Sequence, residues 1–72
     1  MVLVTRQGCH LCDQALGALR GLGVEPEVRD IDADPELFRL YDWRVPVVLV
    51  DGLVVAEGRI DLEVLRKALP AI

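Results

Sequence analysis

Seventy-two residues, 53% of them apolar and carrying a formal charge of −4, make one domain over residues 1–72 with no room for a second. No basic cluster is present to hold nucleic acid or an anionic membrane, and no apolar run approaches the roughly 20 residues of a membrane span. The N-terminus lacks the basic region, long apolar core and small-residue cleavage site of a secretory signal, so the expected location is the cytoplasm.

Val2 to Thr5 reads as a buried strand, and Gly8 frees the connection that brings Cys9 to the edge. Apolar spacing predicts a helix from about His10 to Leu22, with Leu11, Ala15, Ala18 and Leu22 on its inner side, Leu16 and Leu19 next to them, and Gly21 and Gly23 at its end. Pro26 bars a helix. A second strand follows around Glu27 to Ile31, anchored by Val28 and Ile31, which completes a right-handed βαβ unit. Asp34 as N-cap, Pro35 at the first helical position and Glu36 at the positive dipole end start a second helix. Leu37, Leu40 and Tyr41 supply its inner face, with Phe38 beside them, and it ends before Arg44-Val45-Pro46. Val47–Val50 and Leu53–Ala56 flank Asp51-Gly52, the strongest short-range sign of a tight hairpin. The last helix opens at Gly58-Arg59-Ile60-Asp61. Asp61 caps it, Ile60 staples onto Leu65, and Leu62, Val64, Leu65 and Leu69 give it apolar contact until Pro70 stops it. The order β-α-β-α-β-β-α requires a mixed sheet with helices on its faces.

The chemistry is concentrated in Cys9-His10-Leu11-Cys12, which holds both cysteines of the chain. At a helix start, residues three apart have Cα atoms about 5 Å from each other, inside the window a disulfide tolerates. Dithiol and disulfide can therefore interconvert with little backbone movement. Disulfide exchange is attack by a thiolate, which needs a lowered pKa and solvent access. Cys9, at the positive helix end near Arg6 and His10, is the expected nucleophile, and Cys12, one turn further in, the resolving thiol. Two other readings stand beside this one, a metal half-site and a pair of inert thiols. Zinc wants about four ligands, and apart from His10 the chain has no other His or Cys, so a metal would draw on a second chain or an added thiol. Haem attachment is excluded because Asp13 follows Cys12. His10 either stabilises the thiolate when protonated or points into solvent. Arg6 either serves the thiolate and a substrate carboxylate or is a solvated surface cation.

The run Thr5-Arg6-Gln7-Gly8-Cys9-His10-Leu11-Cys12 looks like the glutaredoxin active-site run, and Arg44-Val45-Pro46 is similar to that family's Thr-Val-Pro. With the hairpin and terminal helix behind them, the chain resembles the small glutaredoxin-like branch of the thioredoxin superfamily. The resemblance implies a thioredoxin-like α/β fold, a four-stranded mixed sheet flanked by three helices. It also implies a cis bond before Pro46, which faces the dithiol and leaves the Val45 backbone to hydrogen-bond an extended substrate segment. Read without it, Pro46 is a trans proline starting an edge strand. Trp43 and Tyr41 either line that groove or belong to the core. Gly58 and Asp61 match the family's site for the glutathione γ-glutamyl group. Glu57 adds a negative charge there, which Arg59 offsets by pairing with it or with the substrate. The chain departs from the family in having His10 and Leu11 between the cysteines and Arg44 before Val-Pro.

The activity implied is that of a monomeric thiol-disulfide oxidoreductase reducing a disulfide-bearing protein or a glutathione mixed disulfide. It would bind no cofactor, no metal, no nucleic acid and no membrane, and would draw electrons from glutathione or a reductase. The alternative is a metal or iron-sulfur binding protein that uses the two thiols, across a dimer if need be.

Overall fold

A parallel strand pair on one side and an antiparallel hairpin on the other share one sheet in the computed structural model, which describes residues 1–69. Pro70, read above as the stop of the last helix, lies outside the described residues. In chain order the elements are β1 (Val2–Thr5), α1 (His10–Gly21), β2 (Glu27–Asp30), a 3-10 turn (Ile31–Ala33), α2 (Pro35–Tyr41), β3 (Val47–Val50), β4 (Leu53–Glu57) and α3 (Leu62–Ala68). The sheet order is β2-β1-β3-β4. β1 runs parallel to β2 and antiparallel to β3, and β3 pairs antiparallel with β4. This is the mixed four-stranded sheet with three helices expected of a thioredoxin-like fold.

The period-two alternation of the strands divides the core between the two faces. Leu3 and Val48 point to one face, where Ala15 and Leu19 of α1, Ala56 of β4, and Ile60, Leu65 and Leu69 around α3 close over them. Val4 and Val47 point to the other, covered by Ile31 and by Tyr41 of α2. The expected contact of Ile60 with Leu65 falls within the first cluster. The Asp51-Gly52 turn takes positive φ at both central residues, 52° and 78°, the geometry that matches the right-handed twist of the flanking strands. Asp34 accepts from the backbone N–H of Glu36 and Leu37, and Asp61 from that of Val64, so both expected caps are in place.

Several inward assignments are corrected. Leu11, Leu40 and Leu62 are 39–41% exposed, and Phe38 and Val28 are 43% and 47% exposed. In α1 the buried stripe runs Cys12, Ala15, Leu19. Cys12 takes the inner position of the first turn, which rotates Leu11 outward by one residue's 100°. In α2 Tyr41 alone is buried, because a seven-residue helix lying over β1 and β3 presents one narrow stripe. β2 ends at Asp30, one residue before the expected Ile31. Asp30 accepts from the Asp32 N–H and starts the 3-10 turn there, which carries Ile31 under the sheet while Val28, on the edge strand, faces out.

Candidate active site

Strand register brings the sequence motifs to one end of the sheet. β1 and β2 finish there, β3 begins there and β4 finishes there. Val4 lies opposite Val47, so continuing the ladder sets Pro46 across from Thr5, whose chain leads on to Cys9. The Gly58 N–H donates to the Pro46 carbonyl at 2.9 Å, which closes the end of β4 onto the same edge. Gly8 turns the chain with φ +73°. A Cβ built there meets nothing within 4 Å, so backbone conformation, not space, selects glycine.

Cys9 is the N-cap of α1. Its Sγ accepts from the Cys12 backbone N–H at 3.1 Å, which places the sulfur on the axis where the helix dipole is positive. The two cysteines are joined as a disulfide, with Cα atoms 5.1 Å apart. They are not equivalent toward solvent, since Cys9 is half-buried and Cys12 only 3% exposed. The Val45-Pro46 bond is cis, and Pro46 is buried with Val45 half-exposed before it.

The charged neighbours have other partners. Arg6 hydrogen-bonds both the carboxylate and the backbone carbonyl of Asp42, reaches Asp32 at 3.5 Å, and lies over the Phe38 ring at 5.6 Å. The hydrogen bond that Arg6 donates to the Asp42 carboxylate holds the Arg6 pKa above its usual value. Among the described residues no hydrogen bond runs from Arg6 or His10 to Cys9. His10 Nε2 sits 3.1 Å from Gln14 Nε2, one turn along α1. Glu57 is paired with Arg44 at 2.6 Å, so of the two partners expected for Arg59 the protein's own carboxylate is already taken, and Arg44 also stacks on Tyr41 at 5.2 Å. Arg59 and Asp61 instead border an open groove of about 510 Å³ between α1 and the start of α3, with Gln14 and Ala18 opposite. Tyr41 is buried, which decides for the core, whereas Trp43 is 93% exposed.

Arg6 with Asp42 was not readable from the chain, because the partners are 36 residues apart and belong to different connections. Gln14 could have been found, four residues after His10 on one helix face. Among the described residues no group of three or more His, Cys, Asp or Glu side chains stands together as metal ligands would, and no helix is long and apolar enough to cross a membrane.

A mixed sheet whose first helix begins on a Cys-x-x-Cys pair, with a cis proline at the same sheet end, defines a small thioredoxin-like protein with a thiol-redox site. The glutaredoxin-like domain (DUF836) family model matches residues 1–70, and the chain belongs to that family. It is also similar to a structural-genomics target protein from X. campestris solved by X-ray crystallography. The two are 36% identical, the match covers 99% of this chain and 96% of that one, and the TM-score is 0.85. No curated protein matches the sequence. Family, fold and the Cys9–Cys12 pair together support a thiol-redox role.

Proposed function

We propose that the protein is a thiol-disulfide oxidoreductase in which Cys9 is the nucleophile and Cys12 the resolving thiol. The observation that carries this is the asymmetry of the pair: one sulfur caps a helix and reaches solvent, while its partner is buried a turn behind. A helix N-terminus favours the charged form of a thiol placed on it, so Cys9 is the sulfur that ionises and can be reached.

The reaction runs in two displacements. The Cys9 thiolate attacks one sulfur of a substrate R–S–S–R′, forming the Cys9–S–S–R bond and expelling R′S⁻, which takes a proton from solvent. Cys12 gives up its thiol proton and attacks the Cys9 sulfur. RS⁻ leaves and is protonated, and the Cys9–Cys12 disulfide remains. Two electrons pass from the dithiol to the substrate, and an external thiol, glutathione or the dithiol of a reductase returns them in a reducing compartment such as the cytoplasm. The Val45 backbone and Pro46, at the sheet end shared with Thr5, border the path by which an extended substrate approaches. Gly58 closes β4 behind Pro46 through its N–H.

Single-turnover mixing of the reduced protein with bis(2-hydroxyethyl) disulfide tests this. Wild type releases two equivalents of mercaptoethanol and forms the intramolecular disulfide. Cys12→Ser stops at a stable adduct with one equivalent released, and Cys9→Ser does not react. Equal rates for Cys9→Ser and wild type would remove Cys9 from the mechanism.

A further inference from the structure

Trp43 stands out by exposure: it is 93% accessible, although a large aromatic side chain gains from being removed from water. Both of its neighbours are held. Asp42 is hydrogen-bonded by Arg6 and also donates its N–H to Phe38. Arg44 donates its N–H to Tyr41 and pairs through its guanidinium with Glu57. The indole therefore projects from a fixed base. It stands two residues before Val45, and the arginine clamping that base comes from the connection leading into Cys9.

The charges around it define what it faces. Arg6 is committed to Asp42 and Asp32, and Arg44 to Glu57. These cations are matched by the protein's own carboxylates. Glutathione carries two carboxylates and an ammonium within three residues, and its capture requires uncommitted charge. A segment of polypeptide around a cysteine offers neutral backbone and side chains, and needs an apolar contact instead. Arg59 has no ion-pair partner among the described residues, but it lies in the groove with Asp61 and Glu63, whose carboxylates outnumber it.

Resting on the oxidoreductase reading, we propose that the substrate class is a protein disulfide in an extended segment with an apolar residue beside its cysteine, and that Trp43 is the specificity residue that contacts that apolar residue. A rigid aromatic on a fixed base is the kind of group that dominates recognition energy, because little freedom is lost when it is covered.

The test compares single-turnover reduction of three probes by the reduced protein. These are bis(2-hydroxyethyl) disulfide, oxidised glutathione, and the mercaptoethanol mixed disulfide of a pentapeptide with leucine on each side of its cysteine. The peptide probe is expected to react about tenfold faster than oxidised glutathione. Trp43→Ala is expected to lose roughly tenfold on the peptide alone, and Trp43→Phe to keep most of the wild-type rate. A Trp43→Ala rate reduced equally on all three probes, or unchanged on the peptide, overturns the specificity role. A preference for oxidised glutathione overturns the substrate class while leaving the oxidoreductase reading intact. Failure of wild type with all three overturns that reading and this one with it.

Discussion

Asp61 offers the sharpest quantitative test, because sequence resemblance gives it a substrate-binding task and the structure gives it a structural one. Its carboxylate accepts the Val64 N–H at 2.9 Å as the N-cap of α3, and α3 carries Leu65, fully buried against β1 and β3 residues. Asp61→Ala removes the acceptor and the charge at the positive end of the helix. Loss of the cap costs about 1 kcal/mol, and loss of the charge adds a few tenths. For 72 residues the entropy of unfolding is about 150 cal/mol/K, so 1 kcal/mol moves the melting temperature by roughly 6–7 °C. The alanine variant is expected to melt about 7–10 °C lower in calorimetry. Asp61→Asn keeps the acceptor and loses only charge, so it should fall by about 3 °C. If capping is its task, Asp61→Asn reduces bis(2-hydroxyethyl) disulfide and oxidised glutathione at wild-type rates. An alanine variant melting within a degree or two of wild type, or an asparagine variant as damaged as alanine, would refute the capping argument. A selective loss on oxidised glutathione with an unchanged melting temperature would restore the substrate role.

Leu19 is fully buried between the sheet and α1, and Leu19→Ala should cost about 2–5 kcal/mol out of a total of roughly 4–11 kcal/mol for a chain of this length. Urea denaturation would show the midpoint falling by about half, and a loss below about 1 kcal/mol would mean that the site collapses around the smaller side chain. Arg39 hydrogen-bonds Glu36 and holds its carboxyl below the usual range, so this pair stabilises the fold above the unfolded-state value and is lost as pH falls through the folded one. Melting curves of wild type and Glu36→Gln should therefore differ at pH 7 and draw together as the pH falls through the lowered folded-state value, whereas a gap that widens in acid contradicts the assignment. Serine is a preferred N-cap, so Cys9→Ser should accept the Cys12 N–H and melt no lower than reduced wild type. A drop of several degrees would show that the sulfur does more for α1 than capping it.

What could be read from the chain was mostly local. The Asp51-Gly52 turn, the Asp34 and Asp61 caps and the Cys-x-x-Cys at a helix start each depend on residues within one turn of one another, and each is present in the structure. Helix faces were less legible. Leu11 and Cys12 compete for the inner side of the first turn of α1, and periodicity cannot decide when the smaller residue is the one enclosed. Long-range charge pairing was not legible. Nothing near Arg6 marks Asp42 as its partner, and the match of Arg44 with Glu57 spans the hairpin. The cation expected at the thiol is thus bound to the loop that precedes Pro46. The cis bond at Pro46 was expected only through family resemblance, since X-Pro bonds in folded proteins are cis in about 5–6% of cases.

The arrangement also explains how a chain this small can keep a reactive edge in order. The connections from Arg6 to Cys9 and from Asp42 to Pro46 bury little beyond Pro46, so the apolar core cannot be what aligns them. Arg6 reaches from one connection to the next, bonding both the side chain and the backbone carbonyl of Asp42. Arg44 joins the second connection to the end of β4 through the Glu57 carboxylate. Two planar guanidinium groups, each supported by an aromatic ring, therefore link two loop segments and the end of β4 in series. A guanidinium fixes orientation as well as distance because its donors are held in a plane, and a lysine in either place would supply charge without that constraint. Arg44 thus ties the segment that carries Trp43 and Val45 to the strand behind it.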